Sequence, residues 1–424
     1  MDRRVVVTGM GICAPNGLGL DAFAESLRNG VGGIRFQPEL RDLNFSCQIA
    51  GKPDVPQDRL TDYFTPLQLR GLKASGIVYG VMAGMDAWRD AGFGTSSPAT
   101  PLWDVGLIFG TGILGVDKFR EAIHHIDEGN VRRLGSTSVV QTMASGISAY
   151  LGGMLGLGNQ VTTNSAACTT GTEGVLMAAE RIAQGKAEVM LTGSCSDSGP
   201  YVWGGFDAMR ILPSTYNDAP ETASRPMSAT AAGFVPGSGA GALVLESLES
   251  AQKRGATIYA EVLGGEINSG GQLGTGSMTA PNSEAVQRCI SRAVAHAQIQ
   301  AAEIDVINGH LTATTKDALE IANWSQALGR SGSAFPYMNS FKGMLGHGLA
   351  AAGSMECVAS LLQFREGLVF GNVNCEDLHP EIAQRIAPEK IPQQTMEWAP
   401  KILAKASFGF GDVNACVIFK HWNG

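Results

Sequence analysis

An α/β fold built from two similar halves is what this sequence of 424 residues predicts. Short apolar runs of strand length alternate with longer segments whose apolar residues recur at helical spacing. Two of those helices end the same way: one after Cys168 stops at Gly185 before Val189-Met190-Leu191, and one after His347 stops at Gly367 before Leu368-Val369-Phe370. No low-complexity linker separates the two series. Halves covering 1–250 and 251–424 are therefore expected to pack into one body, with a pocket where they meet.

In the first half, Arg4 to Thr8 reads as a buried strand with a tight exit at Gly9-Met10-Gly11, and Asp21 to Asn29 as a helix. Residues from Phe36 to Gln68 are a polar, proline-containing connection. Gly76 to Ala91 is helical, with Val78, Val81, Met82, Met85 and Trp88 as its apolar set. Val105 to Phe109 is a short buried strand ending in Gly110-Thr111-Gly112-Ile113. Val139 to Leu155 reads as one apolar helix. Val175, Leu176, Ala178, Ala179 and Ile182 then define a helix after the cysteine. Pro200 to Phe234 is a less regular excursion, and Gly239 to Glu246 a strand. In the second half, strands at Ile258 to Gly264, Ile304 to Ile307 and Tyr337 to Ser340 alternate with helices at Ser283 to Ala297, Asp317 to Leu328 and Leu349 to Phe364. Lys405 to Val417 closes the chain.

Fifty-five glycines, modest charge and few aromatics suit close backbone approaches between packed elements. The net charge of −8 argues against a general nucleic-acid binder but leaves room for a local basic patch facing an acidic partner. The eight cysteines are scattered, without metal-ligand spacing or a disulfide framework, which points to a reducing compartment. The N-terminal apolar run is too short for a signal peptide, and no stretch is long enough to span a membrane. A soluble cytoplasmic protein is expected.

The stretch Asn164-Ser165-Ala166-Ala167-Cys168-Thr169-Thr170-Gly171 crowds small residues around one cysteine at the start of a helix. The helix dipole there favours thiolate, the reactive form. A buried core cysteine fits the same stretch, which by itself leaves both readings open. Three other stretches place polar residues where packing would not ask for them. His310, in Asn308-Gly309-His310-Leu311-Thr312-Ala313-Thr314, follows a strand directly. His347, in Lys342-Gly343-Met344-Leu345-Gly346-His347-Gly348, opens an apolar helix whose dipole favours the neutral ring. Ser407-Phe408-Gly409-Phe410-Gly411-Asp412 is a flexible aromatic loop. A lone histidine is more often structural, and such a loop more often a turn. The Gly237-Ser238-Gly239-Ala240-Gly241 run precedes a strand, so it is a weak nucleotide signal.

Together, in this order, these stretches resemble the β-ketoacyl-acyl carrier protein synthases, condensing enzymes of the thiolase fold, and most nearly the elongating synthase II type. The resemblance covers nearly the whole chain. Ala167-Cys168-Thr169-Thr170-Gly171 matches the nucleophile motif, His310 with Thr312 and Thr314 the first histidine motif, and Lys342, Gly346, His347 and Ala351-Ala352-Gly353 the second. It implies a thiolase-like fold: duplicated α/β halves in a layered α-β-α-β-α body. It implies an acyltransferase that condenses an acyl chain on Cys168 with malonyl-acyl carrier protein, with loss of carbon dioxide, to give β-ketoacyl-acyl carrier protein. The catalytic set would be Cys168, His310, His347 and Lys342, with the backbone N–H groups of Cys168 and Phe410 as oxyanion hole and Phe410 as gate. Glu320, the family acid that pairs with the lysine, and Phe408 would support it. Thr312 and Thr314 would bind pantetheine, Ile113 and Phe206 would line the acyl pocket, and Arg132, Arg133 and Arg210 would dock carrier protein. No cofactor or metal is implied, since the substrates ride on carrier-protein phosphopantetheine. A homodimer is the family's usual state.

Departures from the family pattern fall in loops. Leu311 stands where glycine is usual, Thr315 replaces a proline, one residue is missing before Asp317, Asp412 interrupts a Gly-Phe-Gly-Gly loop, and Ser228-Ala229-Thr230-Ala231-Ala232 replaces a charged segment. They leave activity expected and substrate choice open between fatty-acid elongation and a polyene or other secondary lipid. The rival expectations are a ketosynthase/chain-length-factor heterodimer, with this chain as one subunit, and a non-catalytic partner subunit; Cys168 argues against the latter. A thiolase or a chalcone-synthase type is disfavoured by the paired histidines.

Overall fold

The computed structural model describes residues 3–94 and 98–424. The first half runs through β1 (Val5–Ala14), α1 (Ser75–Asp90), β2 (Val105–Thr111), β3 (Val161–Thr162), α2 (Thr170–Ala183), β4 (Val189–Ser196) and β5 (Gly239–Ser247). The second runs through β6 (Ala260–Ser269), α3 (Ser283–His296), β7 (Val306–Asn308), α4 (Asp317–Leu328), β8 (Tyr337–Asn339), α5 (Ala352–Glu366), β9 (Ile402–Gly409) and β10 (Val413–His421).

These strands follow one hydrogen-bonded path, β8-β7-β9-β10-β6-β1-β5-β4-β2-β3. Outward from β1, the path meets β5 and β4 through antiparallel pairings, then β2 and β3 through parallel ones. Outward from β6 it meets β10 and β9 antiparallel, then β7 and β8 parallel. The halves thus repeat one topology. They join where Val5, Val6 and Val7 pair with Val262, Glu261 and Ala260.

Strand periodicity sorts side chains between layers. On β5, Leu243 and Leu245 face one core while Ala242 and Val244 face another. On β10, Val417 and Phe419 share the first of these cores, and Cys416 and Ile418 enter a third. The shared core holds α2 and α5, through Val175, Ile182, Met355 and Leu361. Helix α1 covers the outer face of the first half, and α3 with α4 covers that of the second. Sheets buried on both faces need near-continuous apolar strands, which is how β4 and β5 read. The expected α-β-α-β-α layering follows.

Several local expectations are corrected. Gly9-Met10-Gly11 is not an exit, because β1 continues to Ala14. A Cβ at Gly9 or Gly11 would sit 2.3 or 2.0 Å from carbonyl oxygens of α1, so these glycines serve helix approach rather than a turn. The Val139 to Leu155 helix is two helices, Ser138–Thr142 and Gly146–Leu155. Leu349–Ala351 is a 3-10 turn ahead of α5. Lys405 to Val417 is a hairpin, β9 and β10, turning at Phe410-Gly411-Asp412.

The most consequential packing is between the first turns of α2 and α5. A Cβ on Gly171 would lie 2.2 Å from the Ser354 nitrogen, and one on Gly353 would lie 2.6 Å from the Thr172 nitrogen. Real side chains never come so close, so only glycine allows this crossing. It brings together the loops that precede the two helices.

Candidate active site

Cys168 and His347 occupy those two loops. Ala167, just before the cysteine, has φ +47°, a left-handed conformation costly for a residue with a Cβ. The strain is held by local bonds: Thr170 Oγ1 donates to the Ala167 carbonyl at 2.7 Å and accepts from the Ala166 N–H at 2.8 Å. The His347 loop is tied across the halves. Ser196 Oγ donates to the Gly348 carbonyl at 2.8 Å and accepts from the Ala351 N–H at 3.1 Å, while Ser194 and Ser354 hydroxyls meet at 2.7 Å. His310 leaves the carboxyl end of β7.

The Cys168 sulfur and a ring nitrogen of each histidine lie within 4.8 Å of one another. The two imidazoles meet edge to face at 5.3 Å between centroids. Leu349 N–H donates to His347 Nδ1 at 3.2 Å, so the neutral ring carries its proton on Nε2. His310 Nδ1 has no hydrogen-bond partner among the described residues.

Burial dominates the electrostatics. It holds both histidines well below the ordinary imidazole range, and the ammonium groups of Lys342 and Lys405 push the same way. The neutrality expected of His347 from a helix dipole thus has another main cause. For Cys168 the expectation is overturned. Burial pushes its thiol up to about 11, outweighing Lys342 and the N–H groups of Phe410 and Cys168, which pull the other way. At rest Cys168 is a thiol.

Most of the sequence-predicted residues meet at one cavity of about 420 Å³. Cys168, His310, His347, Phe408, Phe410, Glu320, Thr312, Thr314, Ile113 and Phe206 all line it. The hydroxyls of Thr312 and Thr314 are 3.1 Å apart. Phe206 faces Phe410 at 6.3 Å, and Phe408 faces His310 at 6.2 Å. Ile113 lines the cavity while remaining 52% exposed, so one wall is open at the surface. Trp203 is a core residue. Arg132 and Arg133 are exposed on the turn Val131–Arg133, and Arg210 is exposed beside the cavity-lining Met209 and Ile211.

Lys342 lies behind the cavity, buried, with its Nζ paired to Glu356. The expected Lys342–Glu320 pair is therefore corrected. Glu320 instead accepts the backbone N–H groups of His310 and Leu311, each at 2.7 Å, and burial pushes its carboxyl up to about 7. Asp317 does the same for the next turn, accepting from Thr312 at 2.9 Å and Ala313 at 3.1 Å. These two carboxyls build the loop that presents His310.

Sequence reasoning missed Glu356, Lys405, Asp317 and Phe234, whose ring meets His347 edge-on at 5.1 Å. Glu356 and Lys405 had a readable signal: single charges inside otherwise apolar α5 and β9. Asp317 and Phe234 had none. The departures also resolve. Leu311 is fully buried in the core of the second half. Asp412, with φ +61°, accepts the N–H groups of Gln272 at 3.0 Å and Asn282 at 2.8 Å, fastening the Phe410-Gly411-Asp412 turn to a neighbouring loop that borders the cavity.

The beta-ketoacyl synthase N-terminal domain model matches residues 2–251, and the beta-ketoacyl synthase C-terminal domain model matches 259–376. The chain is 34% identical over 422 residues to 3-oxoacyl-[acyl-carrier-protein] synthase 2 of Vibrio harveyi, covering 99% of this chain and 98% of that one. It is 32% identical to the chloroplastic synthase I of Arabidopsis thaliana, covering 98% and 86%. Among solved structures, a beta-ketoacyl synthase from Burkholderia phymatum superposes with TM-score 0.89 at 28% identity, covering 99% and 100%. The ketosynthase/chain length factor of ishigamide superposes with TM-score 0.87 at 26% identity over the full length of both chains. A type II polyketide ketosynthase in complex with its acyl-carrier protein gives TM-score 0.87 at 27% identity, again over both full lengths.

Proposed function

This chain belongs to the beta-ketoacyl synthase family, and from that premise we propose that it joins an acyl chain held on Cys168 to malonyl-acyl carrier protein. It is a condensing enzyme acting on acyl-carrier substrates. The observation that carries the residue assignment is the meeting of one sulfur and two imidazole nitrogens within 4.8 Å at the end of one cavity.

In the first step the Cys168 sulfur attacks the acyl thioester of the carrier. The old thioester bond breaks, and the cysteine's proton leaves with the departing pantetheine thiol. Burial pushes the thiol up to about 11, so the sulfur must shed its proton as it attacks, and the departing thioester sulfur receives it. In the second step malonyl thioester loses carbon dioxide. The electrons of the broken carbon–carbon bond flow into its carbonyl, and the enolate oxygen takes hydrogen bonds from neutral His310 and His347. Their neutrality matters, since a neutral donor can hold an enolate without protonating it outright. In the third step the enolate carbon attacks the acyl-Cys168 carbonyl. The oxyanion rests on the Cys168 and Phe410 N–H groups, then collapses and expels the Cys168 thiolate, which regains a proton.

Lys342 acts through its field on the histidines, and Glu320 through the His310 loop. Thr312 and Thr314 bind the pantetheine arm, and Ile113 and Phe206 border the acyl chain. Arg210, beside the cavity mouth, and Arg132 with Arg133 receive the acidic carrier. Residues 1–250 supply the nucleophile and 251–424 the enolate clamp; the repeated strand order supports that division.

A homodimer fits the surface. Phe119, Ile123, Ile126, Val131 and Val139 are all exposed on the segment that follows Ile113 in the chain, and a second copy covering that segment would bury them. The heterodimer reading, with this chain as the active subunit, rests on the ketosynthase/chain length factor neighbours. Light scattering of the purified chain separates the two. Among the described residues no helix is long and apolar enough to cross a membrane, and we place the enzyme in the cytoplasm. The deciding experiment incubates the protein with acyl- and malonyl-carrier protein. A β-keto product and an acyl adduct confined to Cys168 are expected; an intact but unacylated Cys168 would refute the assignment.

A further inference from the structure

Lys405 sits in the middle of β9, an otherwise apolar strand, and is fully buried. A lysine is tolerated there only if its charge and donors are met. Its Nζ donates to the backbone oxygen of Ala406 and to Ser407 Oγ at 3.1 Å, and stands 2.8 Å from Glu356 Oε2. Glu356, buried on α5, gives its other oxygen, Oε1, to Lys342. One carboxylate thus lies between two ammonium groups. Ser407 continues the line, its hydroxyl meeting Thr172 Oγ1 at 2.9 Å on the first turn of α2, just past Cys168.

We propose that Lys405 is a positioning residue for the condensation: its ammonium occupies the second oxygen of Glu356 and so leaves the charge of Lys342 uncancelled beside His310 and His347. The inference rests on the role given to those histidines above. Had Glu356 only Lys342 to serve, the pair would be neutral and its field on the cavity weak. With Lys405 present, the triad keeps one net positive charge in a dry site, where charge acts strongly. That charge favours the developing enolate. It also opposes protonation of either ring, in the same direction as their burial.

Among the described residues, the other ionisable groups around the rings are Cys168 from the loop before α2, Asp317 and Glu320 from α4, Asp197 and the exposed Lys316, which line the same cavity, and Lys342 itself. Cys168 is a thiol at neutral pH. Asp317 and Glu320 turn their oxygens to backbone N–H groups of the His310 loop, and burial pushes them up to about 6 and about 7. Lys316 is exposed to solvent, so Lys342 and Lys405 are the buried cations that act on the histidines.

The test follows the ring resonances of the histidines in the full chain labelled with carbon-13 histidine, assigned through His310→Ala and His347→Ala. In the wild type both rings should stay uncharged well below the ordinary imidazole range, which is near 6.5 for a free ring. In Lys405→Met at least one ring should titrate about one pH unit higher than in the wild type, as a unit charge removed from a low-dielectric site requires. Lys405→Gln keeps a donor for Ala406 and Ser407 without the charge, and should shift in the same way. It decides alone where Lys405→Met fails to fold. Malonyl decarboxylation by either variant should lose rate first on the acid side. Superimposable titrations in the wild type and Lys405→Gln, or wild-type rings titrating near 6.5, would overturn the proposal. The resonance measurement needs no turnover, so its failure is distinct from failure of the condensing assignment.

Discussion

The loops before α2 and α5 hold equivalent places in the two halves, yet they present opposite chemistry. Each ends a crossover and enters a helix of the shared central layer. The first offers a thiol on a strained turn, at Ala167. The second offers a neutral imidazole whose tautomer is set by the Leu349 N–H. A duplicated fold has thus placed a thiol and an imidazole face to face, and in the proposed mechanism the first carries the electrophile and the second holds the nucleophile. Position came from the repeat, and function from the single side chain each copy displays there.

Four variants probe this division, in order of expected effect. Cys168→Ala should abolish acyl loading by intact mass, with condensation down at least about a thousandfold, while malonyl decarboxylation stays measurable because the second loop is untouched. Loss of both activities would break the division. His347→Ala should be the mirror image: loading retained, decarboxylation down by roughly a hundredfold or more. Gly171→Val tests the crossing that brings the loops together. With only 2.2 Å available to its Cβ, it should cost about 3 kcal/mol or more in urea unfolding and slow both half-reactions together. Glu320→Gln is the mildest. It keeps one acceptor for the His310 loop, so kcat should fall about tenfold with loading unchanged.

The pH behaviour sharpens the same contrast. A thiol raised to about 11 is mostly protonated at pH 7, so alkylation of Cys168 by iodoacetamide should climb about tenfold per pH unit between pH 7 and pH 10. A plateau near pH 8 would restore the thiolate expected from the helix end. Glu320, raised to about 7 from a usual value near 4.5, is a carboxyl whose folded pKa exceeds its unfolded one. Its contribution to stability is complete below the unfolded value and is lost as pH rises through about 7. Glu320→Gln should flatten that part of the Tm profile.

Much of the site was legible because its residues are out of place locally. Cys168 among small residues, His310 directly after a strand, and Phe410 between glycines each break the pattern around them. Thr312 and Thr314 came with the His310 motif. What could not be read was which buried charge answers which. The resemblance pairs Lys342 with Glu320, but α5 brings Glu356 nearer and Glu320 is spent on backbone N–H groups. Leu311 stands where the resemblance has glycine, and it is a core side chain. Asp412 looked like a loop defect, yet it is a fastening.

By itself the sequence determined the alternation of strands and helices, their repetition, and most of the side chains that meet at the cavity, because periodicity and motif spacing are local properties of a chain. Only the tertiary structure decided that Cys168 rests as a thiol, that Glu356 bridges two lysines, and that two helix starts cross at Gly171 and Gly353. Those outcomes depend on burial and on contacts between residues far apart in the chain, and desolvation is a property of the packed interior that no local pattern contains.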